Sequence, residues 1–188
     1  MERWKTLGVL LLAALFSLIL WSTAGAYTWH KYNGHWYAWT ETSQSWTAAK
    51  TEAENAGGDL VIINDSEENS WLITTFSDHL SWIGLKWNGE GKYYEKANWR
   101  WIDGSTPSFD GWGSGEPSWT VDEHYGAINT GSGSEVFPHG WNNVEDGYGY
   151  AGIIECSTNP VPVPSAILLL GTGVLGLMRL RKKLNKYF

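Results

Sequence analysis

The sequence predicts an α+β domain with two early helices, small antiparallel sheets and a long irregular loop region. Three observations carry this. Apolar residues recur at helical spacing twice before residue 80 and not afterwards. Short β-branched and aromatic runs follow, separated by glycine-rich connections. Two of those connections, Ser108–Ser118 and Thr130–Gly140, are long, and a long ordered loop inside a compact domain is usually a binding loop.

The elements follow in order. Tyr27 to Trp39 is aromatic and alternating around Gly34, which suits a strand pair closed by a turn. From Thr42 to Gly58 the period changes. Trp46, Ala49, Ala53 and Ala56 fall at i, i+3, i+7 and i+10, one face of a helix. Ser43 or Ser45 can cap its start, and Gly57 can close it. A second helix follows Asn64. Asp65 and Glu68 have capping-box spacing there, and Trp71, Leu72 and Phe76 supply an apolar side. Strands are expected at Ser81–Leu85, Trp99–Ile102, Tyr125–Ile128, Gly140–Val144 and Tyr150–Glu155.

The two ends read differently from this body. Arg3 and Lys5 precede the uncharged stretch Leu7–Leu20, and Ala24-Gly25-Ala26 puts small residues where a signal peptidase cleaves. Basic, apolar and then Ala-x-Ala is the order of a secretory signal. At the other end an uncharged run of 18 residues, Val161–Met178, just suffices for a membrane-spanning helix. Arg179, Arg181, Lys182, Lys183 and Lys186 follow it and would hold that side in the cytoplasm. The expected organisation is a signal peptide over 1–26, a folded domain over 27–159 and a C-terminal segment over 160–188.

The formal charge of −7 hides a division. Residues 27–160 hold 19 of the 20 acids and only six of the 13 basic residues, a net −13. An acidic exported body excludes nucleic acid as a partner, because phosphates require a basic face. A single cysteine, Cys156, excludes a disulfide scaffold and any Cys-rich zinc or iron–sulfur centre. Twelve of the 14 Trp residues lie in the body, and such large apolar surfaces can sustain a core without cross-links.

Oxygen donors gather between Glu116 and Asn143. Glu116-Pro117-Ser118 ends a loop, Glu123 lies seven residues beyond Glu116, and Trp141-Asn142-Asn143 comes from a later segment. Calcium takes six to eight such oxygens. Zinc is a poor alternative, since His124 and His139 do not make a ligand cluster. By spacing alone a metal site is the minority reading, since acidic glycine-rich loops are commonly just solvated.

With these residues in view, Gly34–Glu155 resembles the C-type lectin domain. The motifs run in order: Trp46…Ala49…Ala53-x-x-x-Gly57-Gly58-x-Leu60, then Glu68-Asn69 with Trp71-Leu72, then Trp82-Ile83-Gly84-Leu85. Trp99-x-Trp101-x-Asp103-Gly104, Trp112, Gly115-Glu116-Pro117, Trp141-Asn142 and Gly152-Ile153-Ile154-Glu155 complete the series. The resemblance implies a calcium site made by Glu116, Ser118, Glu123, Asn142 and Asn143. It also implies that Glu116, Ser118, Glu123 and Asn142 hold two vicinal sugar hydroxyls, with mannose-type geometry from the Glu-Pro pattern. Trp119, next in the loop, is the candidate for an exposed ring that stacks on the sugar; Trp112 reads equally as core.

This chain departs from the family pattern in three ways. Ser118 stands where sugar-binding members have Asn, and Asn143 where they have Asp. The side-chain charge of the implied site is therefore −2 rather than −3. Affinity follows ligand charge, so calcium binding is expected in the weak ~10⁻⁴–10⁻³ M range of extracellular modules. The family's disulfide positions appear as Ala53, Tyr125 and Ile154, so both bridges are absent and Cys156 reads as a structural residue.

The tail resembles the PEP-CTERM sorting signal of Gram-negative bacteria. Pro162, Pro164, Ser165, Ala166, Leu168–Gly171, Gly173 and the basic cluster from Arg179 match it, with Val163 where Glu is usual. That resemblance implies processing by an exosortase after signal peptidase. It also implies anchoring by the C-terminal helix before processing, then display at the cell surface or in an exopolysaccharide matrix. Two functions follow. One is a calcium-assisted carbohydrate-binding module for a glycan or exopolysaccharide. The other is a lectin-like fold without sugar binding, acting as a matrix or protein-interaction component. An enzyme is not expected, because no nucleophile–base pair is present.

Overall fold

The computed structural model describes residues 27–77, 79–129 and 140–160. The expected signal peptide, the sorting-signal positions Pro162, Pro164, Ser165 and Arg179, and the apolar run 166–178 lie outside the described residues. Among the described residues no helix is long and apolar enough to cross a membrane.

A hairpin opens the domain. Strands β1 (His30–Tyr32) and β2 (His35–Trp39) are joined by Asn33 and Gly34, whose φ angles are 44° and 90°. Positive φ at both central residues is what a two-residue type I′ turn demands, and Asn-Gly meets it with least strain. Helix α1 (Trp46–Asn55) then starts at Ser45, whose hydroxyl accepts the Ala48 N–H at 3.2 Å. Its end is a Schellman closure: Gly58 N–H reaches the Ala53 carbonyl at 3.1 Å and Gly57 N–H reaches Glu54 at 3.0 Å. The two serines left open by sequence are thus resolved in favour of Ser45.

Helix α2 (Ser66–Thr75) is capped by Asp65, which accepts the Glu68 N–H at 2.7 Å. The return bond of a capping box is redirected. The Glu68 carboxylate instead takes the Asn64 N–H at 2.8 Å and the Tyr37 hydroxyl at 2.6 Å, tying α2 to the hairpin. Leu72 and Phe76 are buried, and Trp71 packs half-buried against Tyr32 and Tyr37.

The remaining strands are β3 (Asp59–Leu60), β4 (Leu80–Trp87), β5 (Trp99–Trp101), β6 (Tyr125–Asn129), β7 (Gly140–Val144) and β8 (Ala151–Cys156). All five expected strands are present, Gly140–Val144 with the expected bounds and the others with one or both ends shifted by one or two residues. Their order along the sheet is β1-β2-β8-β4-β6-β7, with β3 added to β8 and β5 to β4. β8 pairs antiparallel with β2 but parallel with β4, so the two ends of the domain meet in the middle of the sheet. The opposite end is β7, and the long loop runs against it.

Tryptophan holds these pieces together in place of disulfides. Trp46 donates to the Ile83 carbonyl at 2.8 Å, Trp82 to Gln44 at 2.7 Å, Trp99 to Tyr93 at 2.6 Å and Trp141 to the Asn69 side chain at 2.9 Å. Each ring buries a large apolar area while its N–H finds a partner on another segment. Cys156 is buried beside Ala53 and Ile154 in one of the two core clusters, where it behaves as a small apolar residue.

Candidate functional site

Strands β6 and β7 pair so that Gly126 stands opposite Asn143 and Ala127 opposite Asn142. The long loop lies alongside β7. Trp141 N–H donates to the Gly111 carbonyl at 2.8 Å, and Gly113 N–H donates back to Trp141 at 2.9 Å. This clasp delivers Glu116-Pro117-Ser118 to the Asn143 side chain; the Glu116–Pro117 peptide is cis.

Four of the five implied ligands form one hydrogen-bonded cluster. Ser118 N–H donates to Asn143 Oδ1 at 2.6 Å and to Glu116 Oε2 at 2.8 Å. The Ser118 hydroxyl reaches Glu123 Oε2 at 2.7 Å. Asn143 Nδ2 donates to the Ser118 carbonyl at 3.1 Å and the Glu123 carbonyl at 3.3 Å. Asn142 sits next to it on β7 at 9% exposure, but no hydrogen bond among the described residues ties its side chain to the cluster.

Burial raises the Glu116 carboxyl above its ordinary range; the Ser118 N–H opposes this and the Glu123 charge adds to it. Burial likewise raises Glu123, opposed by bonds from Ser118 and Thr120 and reinforced by the Glu145 charge. Both carboxylates therefore carry unfavourable negative charge that a cation would relieve. The donors are all oxygen, which suits a hard cation such as calcium rather than zinc or copper. Glu116, Glu123, Ser118 and the Asn143 amide oxygen fit it. The set is weak, because it holds only two carboxylates and each donor already serves an internal bond.

Trp119 is 79% exposed, as its loop position suggested, and its carbonyl accepts the Tyr93 hydroxyl at 2.8 Å. Trp112 is half-buried, edge-on to Trp99 at 4.9 Å between ring centres. Three neighbours were not foreseen from sequence: Tyr93, which braces Trp119; Thr120, whose hydroxyl meets Ser118 Oγ at 3.1 Å; and Glu145. Glu145 closely follows the Asn pair, a signal that could have found it. Tyr93 comes from the β4–β5 connection and carries no such signal.

A family model described as the Lectin C-type domain matches residues 42–143. The chain belongs to the C-type lectin domain family. That membership makes it a binding domain rather than an enzyme. A second model, the PEP-CTERM protein-sorting motif, matches residues 160–183 and marks this lectin domain as exported and directed to the cell envelope.

Among curated proteins, a perlucin-like protein of Mytilus galloprovincialis is 32% identical over 91 residues, 48% of this chain and 58% of that protein. Halomucin of the prokaryote Haloquadratum walsbyi is 34% identical over 133 residues, 63% of this chain and 1% of that protein. The lectin domain thus corresponds to only part of the curated relatives it matches. Among solved structures, an SPL-1–GlcNAc complex aligns with TM-score 0.59 at 27% identity, covering 74% of this chain and 98% of that one. The calcium-independent C-type lectin SPL-2 from Saxidomus purpuratus aligns with TM-score 0.57 at 28% identity, covering 70% and 92%.

Proposed function

We propose that this C-type lectin domain binds carbohydrate at the cluster of Glu116, Ser118, Glu123 and Asn143, with the neighbouring Asn142, assisted by a weakly held calcium ion. The observation that carries the reading is the convergence of the Glu116 and Glu123 carboxylates on Ser118, beside the exposed ring of Trp119. The carboxylates and amides accept and donate to vicinal hydroxyls, calcium takes further hydroxyl oxygens, and the Trp119 ring covers an apolar sugar face. The GlcNAc bound by SPL-1 has the same equatorial 3- and 4-hydroxyls as mannose, in keeping with the Glu-Pro pattern.

In this reading residues 1–26 are removed by signal peptidase, 27–159 form the lectin domain and 160–188 form the sorting segment. The C-terminal helix holds the protein in the membrane until an exosortase acts at the segment bearing Pro162, Pro164, Ser165 and Arg179. The lectin domain then meets exopolysaccharide or another glycan in the surface matrix.

A second reading rests on one observation: Ser118 and Asn143 satisfy each other without an ion. On that reading the fold serves as a matrix or protein-interaction component, or binds sugar without calcium as SPL-2's description allows for that protein. A glycan array probed with the full-length chain in calcium and again in chelator tests both. Binding lost on chelation supports the first reading. Binding indifferent to chelation removes calcium from it, and no glycan binding in either condition supports the interaction component.

A further inference from the structure

β5 and the chain around it line an open surface groove of about 350 Å³, within the ~300–1,000 Å³ range of small-ligand pockets. Its half-buried aromatic walls are Phe109 and Trp112, the latter packed edge-on against the fully buried Trp99, and its charged side chains are Lys96, Arg100 and Asp110. None of the residues in the calcium and sugar reading lines it.

The charge of this pocket runs against that of its surroundings. Residues 27–160 carry −13 with six cations, yet two of the six are here and the three charged groups sum to +1. Lys96 is committed to Asp110, with Nζ at 2.9 and 2.7 Å from its two oxygens. That contact holds Asp110 below the usual carboxylate range, so it stays ionised and neutralises Lys96. Arg100 is left as the uncompensated charge. Its Nη1 donates to the Ala97 and Trp99 carbonyls, both at 2.7 Å. Among the described residues its bonds use neither Nη2 nor Nε, and no carboxylate pairs with it. Lys86 stands opposite Arg100 in the β4–β5 register and adds to the positive field.

We propose that this pocket binds a sugar ring bearing a carboxylate, a uronic-acid unit of an acidic polysaccharide. A guanidinium fixed by backbone carbonyls presents a planar fork that matches a carboxylate, which a lysine does not. The aromatic walls supply apolar surface for the ring's C–H face. An acidic polymer approaching a −13 domain is repelled elsewhere and admitted here. The site is independent of calcium.

The test is calorimetry on the full-length chain in chelator throughout, with an oligomer of glucuronic acid and the matching oligomer of glucose. The acidic oligomer is expected to bind at least tenfold tighter. Arg100→Gln, which can keep one carbonyl contact, should lose at least tenfold. Asp110→Asn should bind severalfold tighter, because it frees Lys96. Equal binding of the two oligomers, or undiminished binding by folded Arg100→Gln, overturns the proposal. Equal competition by inorganic phosphate would make this a simple anion site and also overturns it. Should Arg100→Gln fail to fold, Asp110→Asn decides: tighter acidic binding sustains the proposal, and no change defeats it. Because calcium is absent, failure here leaves the calcium-site reading untouched.

Discussion

The Asn143 side chain grips both backbone polar groups of Ser118, accepting its N–H at 2.6 Å and donating to its carbonyl at 3.1 Å. These are the two positions that depart from the sugar-binding pattern, and they depart together. A carboxylate at 143 would have no hydrogen to offer the Ser118 and Glu123 carbonyls. The amide does, so it closes the loop onto β7 without help from an ion.

Asn143→Asp tests that compensation. The exchange sets a charged oxygen against two carbonyls beside two carboxylates, and unpaired buried acceptors cost about 1–3 kcal/mol each. The melting temperature should fall in chelator and recover in millimolar calcium, as the site charge becomes −3. A fall that calcium does not repair would remove calcium from this site.

The raised Glu116 and Glu123 carboxyls predict an unusual pH response. Folded carboxylates that hold protons to higher pH than unfolded ones make the folded state the better proton binder just above the ordinary 4.5. Stability then decreases as pH rises through that window, and the effect is complete above the folded values. Glu155, also raised by burial, contributes in the same direction. Calcium binds the ionised forms, so it should cancel the part due to Glu116 and Glu123 and lose affinity as pH falls back through the window. Denaturant midpoints measured from pH 4.5 to neutrality, with and without calcium, check both signs.

Trp119→Ala should leave the melting temperature nearly unchanged, because the ring is 79% exposed. Glycan affinity should drop by about 0.5–1.5 kcal/mol, the usual worth of a specific aromatic contact. Thermal unfolding beside glycan titration separates the two effects. A loss of several degrees would mean the ring packs rather than binds.

Tyr37→Phe should destabilise the domain at its other end. The hydroxyl donates to Glu68, a carboxylate only 4% exposed, at 2.6 Å. Burial, the hydrogen bond to Glu68 and the Glu155 charge push that hydroxyl far above its ordinary range, so it remains a donor at every relevant pH. Removing it strips a buried carboxylate of one partner, at about 1–3 kcal/mol. The urea midpoint should fall with no change in slope.

Local features were legible in the amino-acid order because their causes are local. Ser45 and Asp65 lie three residues from the N–H groups they cap, Asn33-Gly34 sets its own turn, and Trp46, Ala49 and Ala53 share a face by helical spacing alone. The family motifs also named the residues of the calcium and sugar reading. What those residues do to one another was decided only by tertiary structure. Ser118 and Asn143 are 25 positions apart and meet through a loop that lies along β7. Glu68 satisfies the capping-box pattern in sequence, yet its carboxylate goes to Asn64 and Tyr37 because the hairpin packs there. Arg100 is one of the six cations of residues 27–160 and becomes the unpaired charge of a pocket only because Lys96 and Asp110 close on each other. Periodicity and capping follow from steric rules along the chain, whereas partner choice for a charged or polar side chain depends on which distant segments burial brings beside it.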